Sequence, residues 1–431
     1  MTERNRASSI LVGLLVVFAL VAAGCSDDDT ASSSDSSDSG SAGATIAVPD
    51  DQTTIQAAVD AAKPGDLILI SPGVYKEGVT VETKNLVIRG TDRNTVIIDG
   101  EFTRENGIKV LADGVAVENL TARNNTANGV FWTGSYEDNY VLKGYRASYV
   151  TAYNNGLYGV YAFNASNGLI EHSYASGHPD SGFYIGQCKP CNAVIRDVTA
   201  ERNMLGYSGT NSSGNVTIVS SVWRNNRAGI VPNSLTGEKL APQGDNDIVA
   251  NLVADNNAAD APFKEKFALA YGNGILIGGG STNNVTRNEI RGHINAGVVV
   301  SDLPENFKPE GNQITDNKLS GNTYDLVYLL ANFPSEAYGN CFAGNSPSAS
   351  TSPANIETEM PCGGGQAGSG WDLGGVLAKI TPGPPDVDWK TVAAPSDQEN
   401  MPDATSAPAE PAAAADLPPK VDLDEAEVPE G

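Results

Sequence analysis

Positive charge is scarce in this sequence of 431 residues, which has 27 Lys and Arg against 52 Asp and Glu and a net charge of −25. A chain of this charge is repelled by nucleic acid and by anionic lipid headgroups, so no nucleic-acid partner is predicted. Charged residues make up only 18% and hydrophobic residues 40%, with 46 Gly. That composition excludes a largely disordered chain and favours a loop-rich β-protein.

Long apolar runs are also lacking. The longest extends from Ile10 to Ala23, which is too short to cross a membrane comfortably. It follows Arg4 and Arg6, the pattern of an exported protein's signal peptide.

The apolar run ends in residues 21–25, Val-Ala-Ala-Gly-Cys, which resemble a bacterial lipoprotein lipobox with Ala22 where Leu is commoner. The resemblance implies that residues 1–24 are a lipoprotein signal peptide and that Cys25 is lipidated. Residues 25–44 are then expected to form a Ser/Asp-rich tether, and the protein is expected to be lipid-anchored to the outer face of the bacterial cell membrane. An ordinary signal peptide followed by an incidental cysteine is the alternative.

The middle of the chain has a short repeated phrase in place of long amphipathic helices: a glycine, an apolar residue, a variable residue and usually a second apolar residue. Most successive repeat glycines are 22 to 24 residues apart, and two intervals are 30 and 45 residues. The glycines are Gly107, Gly129, Gly159, Gly182, Gly206, Gly229, Gly274 and Gly297.

A second β-branched phrase, such as Val115–Leu120 or Val216–Ser221, lies between these glycines, so each turn holds at least two short strands. Strands in such short turns pair in parallel with the turns above and below, about 4.8 Å away. The repeat predicts an all-β parallel β-helix, a single solenoid over residues 45–345.

An open β-helix end exposes unpaired strand groups and needs a cover. Residues 54–62 (Thr-Ile-Gln-Ala-Ala-Val-Asp-Ala-Ala) have the apolar spacing of a capping helix, with Thr53 or Thr54 as N-cap and Pro64 as its end. With residues 64–66 (Pro-Gly-Asp) and 72–77 (Pro-Gly-Val-Tyr-Lys-Glu), this segment resembles the N-terminal coil of right-handed β-helix proteins of the pectin lyase-like superfamily, including pectinesterases. The resemblance covers about residues 45–345 and implies a right-handed β-helix with an N-terminal capping helix.

The catalytic signatures of that superfamily are missing. The sequence has no Gly-Arg-Pro-Trp-like stretch of pectinesterases, and Asp50-Asp51 precedes the cap and does not lie in the coils. Pro179 follows His178 and Ile294 follows His293, so neither histidine forms a polygalacturonase-like Gly-His-Gly. The resemblance therefore implies the fold and leaves the chemistry open.

Export would place the four remaining cysteines in an oxidising compartment. The local pairing joins Cys188 to Cys191 and Cys341 to Cys362. A redox role for the Cys-x-x-Cys, or a zinc site with His172 and His178, is the weaker alternative. No metal and no cofactor are predicted. Residues 346–431 are expected to be a disulfide-tied end followed by a mostly disordered Pro/Ala/acidic tail.

The residue two places after each repeat glycine is expected to point outward, and in three consecutive turns it is aromatic: Phe131, Tyr161 and Tyr184. Rings spaced about 5 Å apart along the solenoid could bind sugar rings. The alternative is that an inserted loop, Ser135–Tyr145, covers them.

Residues 177–187 hold the densest group of reactive side chains. His178 or Asp180, paired with Tyr184, could remove and return a proton of a uronic acid, as lyases and epimerases require. Arg202 and Arg227 on neighbouring turns could neutralise the sugar carboxylate. Further substrate contacts are predicted at Gln187, Asn211 and Asn233.

His178 also has a structural interpretation. Asn125, Asn155 and Asn225 each lie four residues before a repeat glycine, where stacked amides would form a ladder. His178 and His293 occupy the same position.

Two functions are compatible with these features. One is a surface lipoprotein whose β-helix binds a polysaccharide or cell-wall glycan and, if catalytic, acts as a lyase or an epimerase. The other is a non-enzymatic envelope scaffold that binds a protein partner through inserted loops at Ser135–Tyr145, Leu235–Asp245, Ala258–Ala270 and Asp302–Gly311. The sequence does not determine the oligomeric state.

Overall fold

A computed structural model describes residues 43–332, 338–348, 350–364, 373–412 and 414–431. The proposed signal peptide, Cys25 and most of the proposed tether lie outside these residues. Within them, no helix has the length and apolar character needed to cross a membrane.

The chain forms a parallel β-helix of about 12 turns with three faces. Faces 1 and 2 belong to one sheet, and face 3 is a separate 11-stranded sheet. Two long strands, Val115–Arg123 and Leu142–Tyr153, bend from face 1 into face 2.

The other strands of face 1 are Thr45–Val48, Leu67–Ile70, Val87–Gly90, Ala165–Glu171, Ala193–Arg196, Ser213–Val219, Gly244–Val249, Asn284–Thr286, Gln313–Thr315 and Cys341–Ala343. Those of face 2 are Gly73–Tyr75, Val96–Asp99, Tyr174–Ser176, Thr199–Glu201, Val222–Arg224, Leu252–Ala254, Glu289–Arg291 and Lys318–Ser320. Face 3 comprises Val79–Val81, Asn106–Val110, Asn128–Thr133, Tyr158–Phe163, Ser181–Gly186, Leu205–Thr210, Ala228–Asn233, Asn273–Gly278, Ala296–Ser301, Tyr324–Leu329 and Thr351–Ser352.

The predicted register of the glycine-led phrases is confirmed on face 3. The residue after each repeat glycine pairs with its equivalent in the next turn and is buried; the row is Ile108, Val130, Val160, Phe183, Tyr207, Ile230, Ile275 and Val298. The glycine itself is required by close packing, because a Cβ on Gly129 would lie 2.6 Å from the carbonyl oxygen of Gly159. The repeat therefore specifies the inner lining of the solenoid.

A ladder of polar side chains also runs through the interior, and it includes the two histidines. Its members, in order, are Asn125, Asn155, His178, Asn203, Asn226, Asn256, His293 and Asn322, with side-chain hydrogen bonds of 2.8 to 3.1 Å between successive turns. The predicted ladder is present, but its member in the Gly229 turn is Asn226. Asn225 instead lies in a tight bend with a φ of 52°.

Both ends of the solenoid are closed. The helix Ile55–Ala61 contacts the strands of the first turn, and its N-cap Thr54 accepts a hydrogen bond from the Ala57 N–H at 3.1 Å. At the other end, the helix Ile356–Glu359 contacts Cys341–Ala343. The two predicted disulfides, Cys188–Cys191 and Cys341–Cys362, are formed.

The C-terminal tail differs from the expected disordered segment. After the helix Leu373–Lys379, it lies along the solenoid and includes the short 3-10 helix Trp389–Thr391. Five arginines of the solenoid donate hydrogen bonds to its main-chain carbonyl oxygens: Arg89, Arg93, Arg146, Arg227 and Arg287. Near the end, Val421, Leu423, Ala426 and Val428 pack against Val219, Val249 and Ala250.

Two physical reasons explain the attachment of the tail. Proline lacks an N–H, so a Pro-rich segment cannot pair its own carbonyl groups and offers them to other donors. The guanidinium group supplies up to five such donors in a fixed geometry. Arg89, for example, bonds to the carbonyl oxygens of Ala407 at 2.7 Å and Pro408 at 3.0 Å.

Candidate functional site

The outer surface of face 3 divides into an aromatic half and an aliphatic half. The outward row is Lys109, Phe131, Tyr161 and Tyr184 in the first half, and Val231, Leu276, Val299 and Val327 in the second, with Ser208 between them. The backbone register is continuous through both halves. Any difference in function between them is therefore a property of these outward side chains and of the loops above them.

The aromatic row pairs in register as predicted, but its rings pack against one another. The rings of Phe131 and Tyr161 stack with centroids 4.4 Å apart and planes 8° from parallel. The Tyr158 ring stacks on the Tyr161 ring with centroids 4.2 Å apart, and the Tyr184 ring meets the Tyr161 ring edge-on at 4.9 Å. Tyr184 is only 3% exposed. Ring faces that contact each other cannot serve as separate platforms for sugars, so the site depends more on polar groups at the edge of the cluster.

Two inserted loops meet above this row. Tyr136, from the loop after Asn128–Thr133, packs edge-on against Phe163, and Lys239 from the loop after Ala228–Asn233 lies 4.2 Å above the Tyr136 ring. Gln187 joins the two loops, because it accepts a hydrogen bond from the Tyr136 hydroxyl at 3.3 Å and donates one to Glu238. The loop at Ser135–Tyr145 therefore packs beside the aromatic row together with a second loop, as the alternative interpretation of the row expects.

A third loop supplies two lysines. Lys266 of the 3-10 helix Glu265–Ala270 lies 3.2 Å from Oδ2 of Asp180, and Lys264 lies 3.6 Å from the same oxygen. Asp180 is 2% exposed and also accepts a hydrogen bond from the Ser181 hydroxyl at 3.1 Å. We call Asp180, Lys264, Lys266, Tyr158, Tyr161 and Tyr184 the tyrosine–lysine cluster.

Electrostatics keep the tyrosines of this cluster protonated. Burial raises the pKa of Tyr158 well above its ordinary value of 10.0, and the negative charge of Asp180 raises it further. Burial also raises the pKa of Tyr184. Burial lowers the pKa of Lys264, whereas Asp180 acts in the opposite direction. The cluster therefore presents neutral hydroxyl donors beside two ammonium groups, an arrangement suited to hydroxyl and carboxylate groups of a ligand.

His178 is not available for surface chemistry. It is fully buried in the ladder, where Asn155 Nδ2 donates to Nε2 at 3.1 Å and Nδ1 donates to Oδ1 of Asn203 at 2.8 Å. Burial lowers its pKa to about 4. His178 and His293 thus take the place of ladder asparagines, as the structural interpretation expects. Full burial of the His178 ring argues against the predicted catalytic role, because a substrate would not reach it in this structure.

The two predicted arginines also lie elsewhere. Arg227 is buried and anchors the lysine-bearing loop, donating to the Ala261 carbonyl oxygen at 2.9 Å and to Pro384 in the tail at 3.0 Å. Arg202 forms ion pairs with Glu201 at 3.8 Å and Asp260 at 3.4 Å. Neither contacts the cluster in the structure, and Lys264 and Lys266 provide its positive charge instead.

The two asparagines predicted to contact a substrate bond mainly to groups of the protein itself. Asn211 holds the second loop by donating to the carbonyl oxygens of Leu235 at 2.9 Å and Lys239 at 3.0 Å. Asn233 accepts from the Thr210 hydroxyl at 3.0 Å. Of the predicted residues, the structure brings Asp180, Phe131, Tyr161 and Tyr184 together, with Gln187 between the loops above them.

Sequence reasoning missed Tyr158, Lys264 and Lys266. Tyr158 directly precedes the repeat glycine Gly159 and pairs with Ser181, which precedes the next repeat glycine. An inspection of the residue before each repeat glycine would therefore have found it. The lysines belong to the inserted loop Ala258–Ala270, whose path no repeat specifies.

The aliphatic half of face 3 is the floor of a cavity of about 310 Å³, here called the aliphatic groove. Its floor is Val231, Leu276, Val299 and Val327. One wall is the 3-10 helix Glu265–Ala270, the other is the loop at 303–305, and the helix Leu373–Lys379 adds Val376 and Leu377. Lys266 therefore lies at the junction of the groove and the tyrosine–lysine cluster.

Comparisons with known proteins agree with this architecture. The family model "Right handed beta helix region" matches residues 128–314. No curated protein sequence matches the chain. Among solved structures, the A-module of the Azotobacter vinelandii mannuronan C-5 epimerase AlgE6 is similar with a TM-score of 0.52 and 16% identity, over 69% of this chain and 92% of that one.

Two further structures are more distant. The A-module of the Azotobacter vinelandii mannuronan C-5 epimerase AlgE4 has a TM-score of 0.49 and 19% identity, over 68% of this chain and 82% of its own. Pectate lyase Pel9A has a TM-score of 0.43 and 15% identity, over 81% of this chain and 84% of its own. The fold and the family model together define an all-β, right-handed parallel β-helix protein, as the sequence predicts.

Proposed function

We propose that this protein is a cell-surface lipoprotein that binds an acidic polysaccharide at the tyrosine–lysine cluster. The observation that carries the proposal is the position of Lys264 and Lys266, which meet over Asp180 beside three protonated tyrosines. The lysines offer charge to sugar carboxylates, and the tyrosine hydroxyls offer hydrogen bonds to ring substituents. The similarity of the fold to the A-module of the mannuronan C-5 epimerase AlgE6 supports a uronate polymer as the ligand class.

Modification of the polymer, by a lyase or an epimerase reaction, is a second candidate. It is favoured by the presence of a carboxylate, phenols and ammonium groups in one cluster, because proton removal next to a uronate carboxylate needs a base, an acid and a cation. The raised pKa of Tyr158 and Tyr184 fits them as proton donors, which leaves Asp180 as the base. In the structure Asp180 is held by both lysines, so it would have to exchange them for the substrate carboxylate.

The binding experiment uses affinity electrophoresis in gels containing alginate, polygalacturonate or neutral dextran. We expect retardation by an acidic polymer that weakens with salt, and a loss of about tenfold in affinity for the variant Lys264→Ala/Lys266→Ala. The exposed pair Lys84→Ala/Lys143→Ala removes the same charge elsewhere and serves as the control. An equal loss of affinity in both double variants would mean that binding depends only on net charge, and it would contradict the proposed site.

The catalytic candidate has its own readouts. A lyase would release unsaturated ends that absorb ultraviolet light, and an epimerase would exchange the sugar C5 proton with deuterated water. Asp180→Asn should abolish either signal while Lys84→Ala leaves it unchanged. If neither signal appears but the protein still binds the polymer, binding without catalysis is its function. If it does not bind the polymer either, the scaffold function through the inserted loops is favoured.

The proposed location rests on the lipobox resemblance at residues 21–25. Mass spectrometry of the membrane fraction should find a diacylglyceryl-modified Cys25 at the new N-terminus. Cys25→Ala should release the protein from the membrane. An unmodified Cys25 would support the ordinary signal peptide instead.

A further inference from the structure

The aliphatic groove is a second concave site on face 3, and the polysaccharide proposal does not use it. Its four floor residues lie on successive turns, so the floor extends for roughly 14 Å at about 4.8 Å per turn. A volume of about 310 Å³ is within the range of small-molecule sites. A narrow channel of this length matches an extended alkyl chain.

Two asparagines that reach the groove already have partners within the protein. Asn273 donates to the carbonyl oxygens of Leu269 and Ala270, both at 3.1 Å. Asn295 exchanges hydrogen bonds with Thr381, donating at 3.2 Å and accepting at 2.8 Å. A sugar in the groove would have to leave hydroxyl groups unpaired over an aliphatic floor, which is costly, whereas an alkyl chain gains free energy there.

Large apolar side chains also stand open to solvent on the groove walls. Leu269 on the 3-10 helix is 49% exposed, and Leu377 on the helix Leu373–Lys379 is 44% exposed. They are two of the eight exposed large aliphatic residues found in the described part of the chain, and both line this cavity. Their exposure has a physical explanation if an apolar ligand covers them.

Two ammonium groups line the same cavity. Lys266 lies over the ring of Phe267 at 4.3 Å, and Lys379 lies over the ring of Tyr324 at 5.0 Å. Lys266 is paired with Asp180, whereas Lys379 forms no ion pair within the described residues. The Glu305 carboxylate, on the wall at 303–305, also lines the cavity and accepts hydrogen bonds from Thr236. An anionic head group next to Lys379 would provide an ion-pair partner for that ammonium group.

From these observations we propose that the aliphatic groove binds a free medium-chain fatty acid, with the alkyl chain on the floor Val231, Leu276, Val299 and Val327 and the carboxylate near Lys379. This site adjoins the tyrosine–lysine cluster at Lys266, but the proposal does not rest on polysaccharide binding. Burial of the chain supplies the affinity, and Lys379 supplies a smaller preference for an anionic head.

The test is a fluorescence titration of the purified chain with dansyl-undecanoate, followed by displacement with laurate. Leu269→Glu and Leu377→Glu place a charge against the alkyl chain at exposed positions, so folding is preserved and affinity should fall at least about tenfold. Val74→Glu alters another exposed apolar residue, 51% exposed on face 2, and should leave affinity unchanged. Lys379→Gln should weaken laurate about threefold and leave dodecanol unaffected.

Several outcomes would overturn the proposal. Laurate that fails to displace the probe would remove the fatty acid as ligand. Equal binding by wild type and both glutamate variants would place the probe outside the groove. Binding of phosphatidylglycerol vesicles without binding of laurate would identify a membrane surface as the partner instead.

Discussion

The two halves of face 3 share one backbone but differ in chemistry. Both are paired in the same register, both rest on the same polar ladder, and each has one ladder histidine beneath it, His178 under the aromatic half and His293 under the aliphatic half. The outward side chains nevertheless change from stacked tyrosines to Leu and Val within two turns. Inward residues thus specify the solenoid, and outward residues are free to specify ligands.

The loops strengthen this difference. The 3-10 helix Glu265–Ala270 carries Lys266 toward Asp180 and Leu269 toward the groove, so one short element serves both halves. A single buried arginine, Arg227, holds the loop that contains this 3-10 helix. The comparison therefore predicts that changes inside the solenoid affect both halves equally and that changes outside affect one half alone.

The largest effect is expected inside, at the ladder. Asn226→Ala removes an amide whose Nδ2 donates to Ala200 and Arg224 carbonyl oxygens and to Asn256. Several buried groups lose their partners, so the free energy of unfolding should fall by about 4 kcal/mol. Urea unfolding would measure it. Asn155→Ala, under the other half, should cost a similar amount, and a difference of more than a factor of two would contradict the equivalence of the halves.

The next effect concerns pH and the two histidines. Burial lowers the pKa of both His178 and His293 from 6.5 to about 4, so the folded state binds fewer protons than the unfolded state between these values. Stability is therefore present above about pH 6.5 and is lost as the pH falls toward 4, by on the order of 3 kcal/mol for each histidine.

Each ladder histidine can be tested separately by replacement with asparagine. His178→Asn and His293→Asn replace the imidazole by the amide found elsewhere in the ladder, and each should remove part of the acid sensitivity in urea titrations between pH 7 and pH 4. His172→Asn, which changes a histidine that stacks on Tyr149 outside the ladder, is the control. Unchanged acid sensitivity in the His178→Asn/His293→Asn double variant would exclude both groups as its source.

A smaller effect is expected at the shared loop. Arg227→Ala removes donors to Ala261 and to Pro384 and Pro385 of the tail, and should cost about 2 kcal/mol. Hydrogen exchange should become faster in residues 258–270, and both glycan and fatty-acid binding should weaken together. Arg202→Ala, at a surface ion pair, should cost less than about 1 kcal/mol. Loss of only one binding activity in Arg227→Ala would show that the loop does not link the halves.

The smallest effect belongs to the aromatic half alone. Phe131→Leu keeps an apolar side chain but loses the stacked contact with Tyr161, at a cost of about 1 kcal/mol. Leu276→Met in the aliphatic half has no such contact to lose and should change stability by less than about 0.5 kcal/mol. Thermal unfolding would rank the two. Equal costs would mean that ring stacking adds nothing beyond burial.

The fold was largely predictable because the solenoid repeats its constraints. Each turn needs a glycine where the next turn's carbonyl approaches and an amide that satisfies buried main-chain groups, so the signal recurs about every 23 residues. The prediction of Asn225 fails because the turns of Gly206 and Gly229 both have one residue fewer between the ladder amide and the glycine, so their ladder members are Asn203 and Asn226.

The site was less predictable, because its charges come from insertions. Asp180 and Tyr184 lie on or next to repeat strands and were found, whereas Lys264 and Lys266 lie on a loop positioned by Arg227 and the tail. The sequence shows the cation of Arg227 but not its partners, so it predicts a sugar carboxylate where the structure has main-chain carbonyl oxygens. The attachment of the tail was missed for a related reason: carbonyl oxygens are present in every residue and leave no trace in composition.

The attachment of the C-terminal tail through main-chain carbonyl oxygens has a consequence for its evolution. Arg89, Arg93, Arg146, Arg227 and Arg287 hold atoms that every amino acid carries. Side chains along most of the C-terminal tail can therefore change without weakening its attachment to the solenoid. Among homologues we expect the five arginines to be retained, whereas the sequence of the tail to which they bond should be too variable to align.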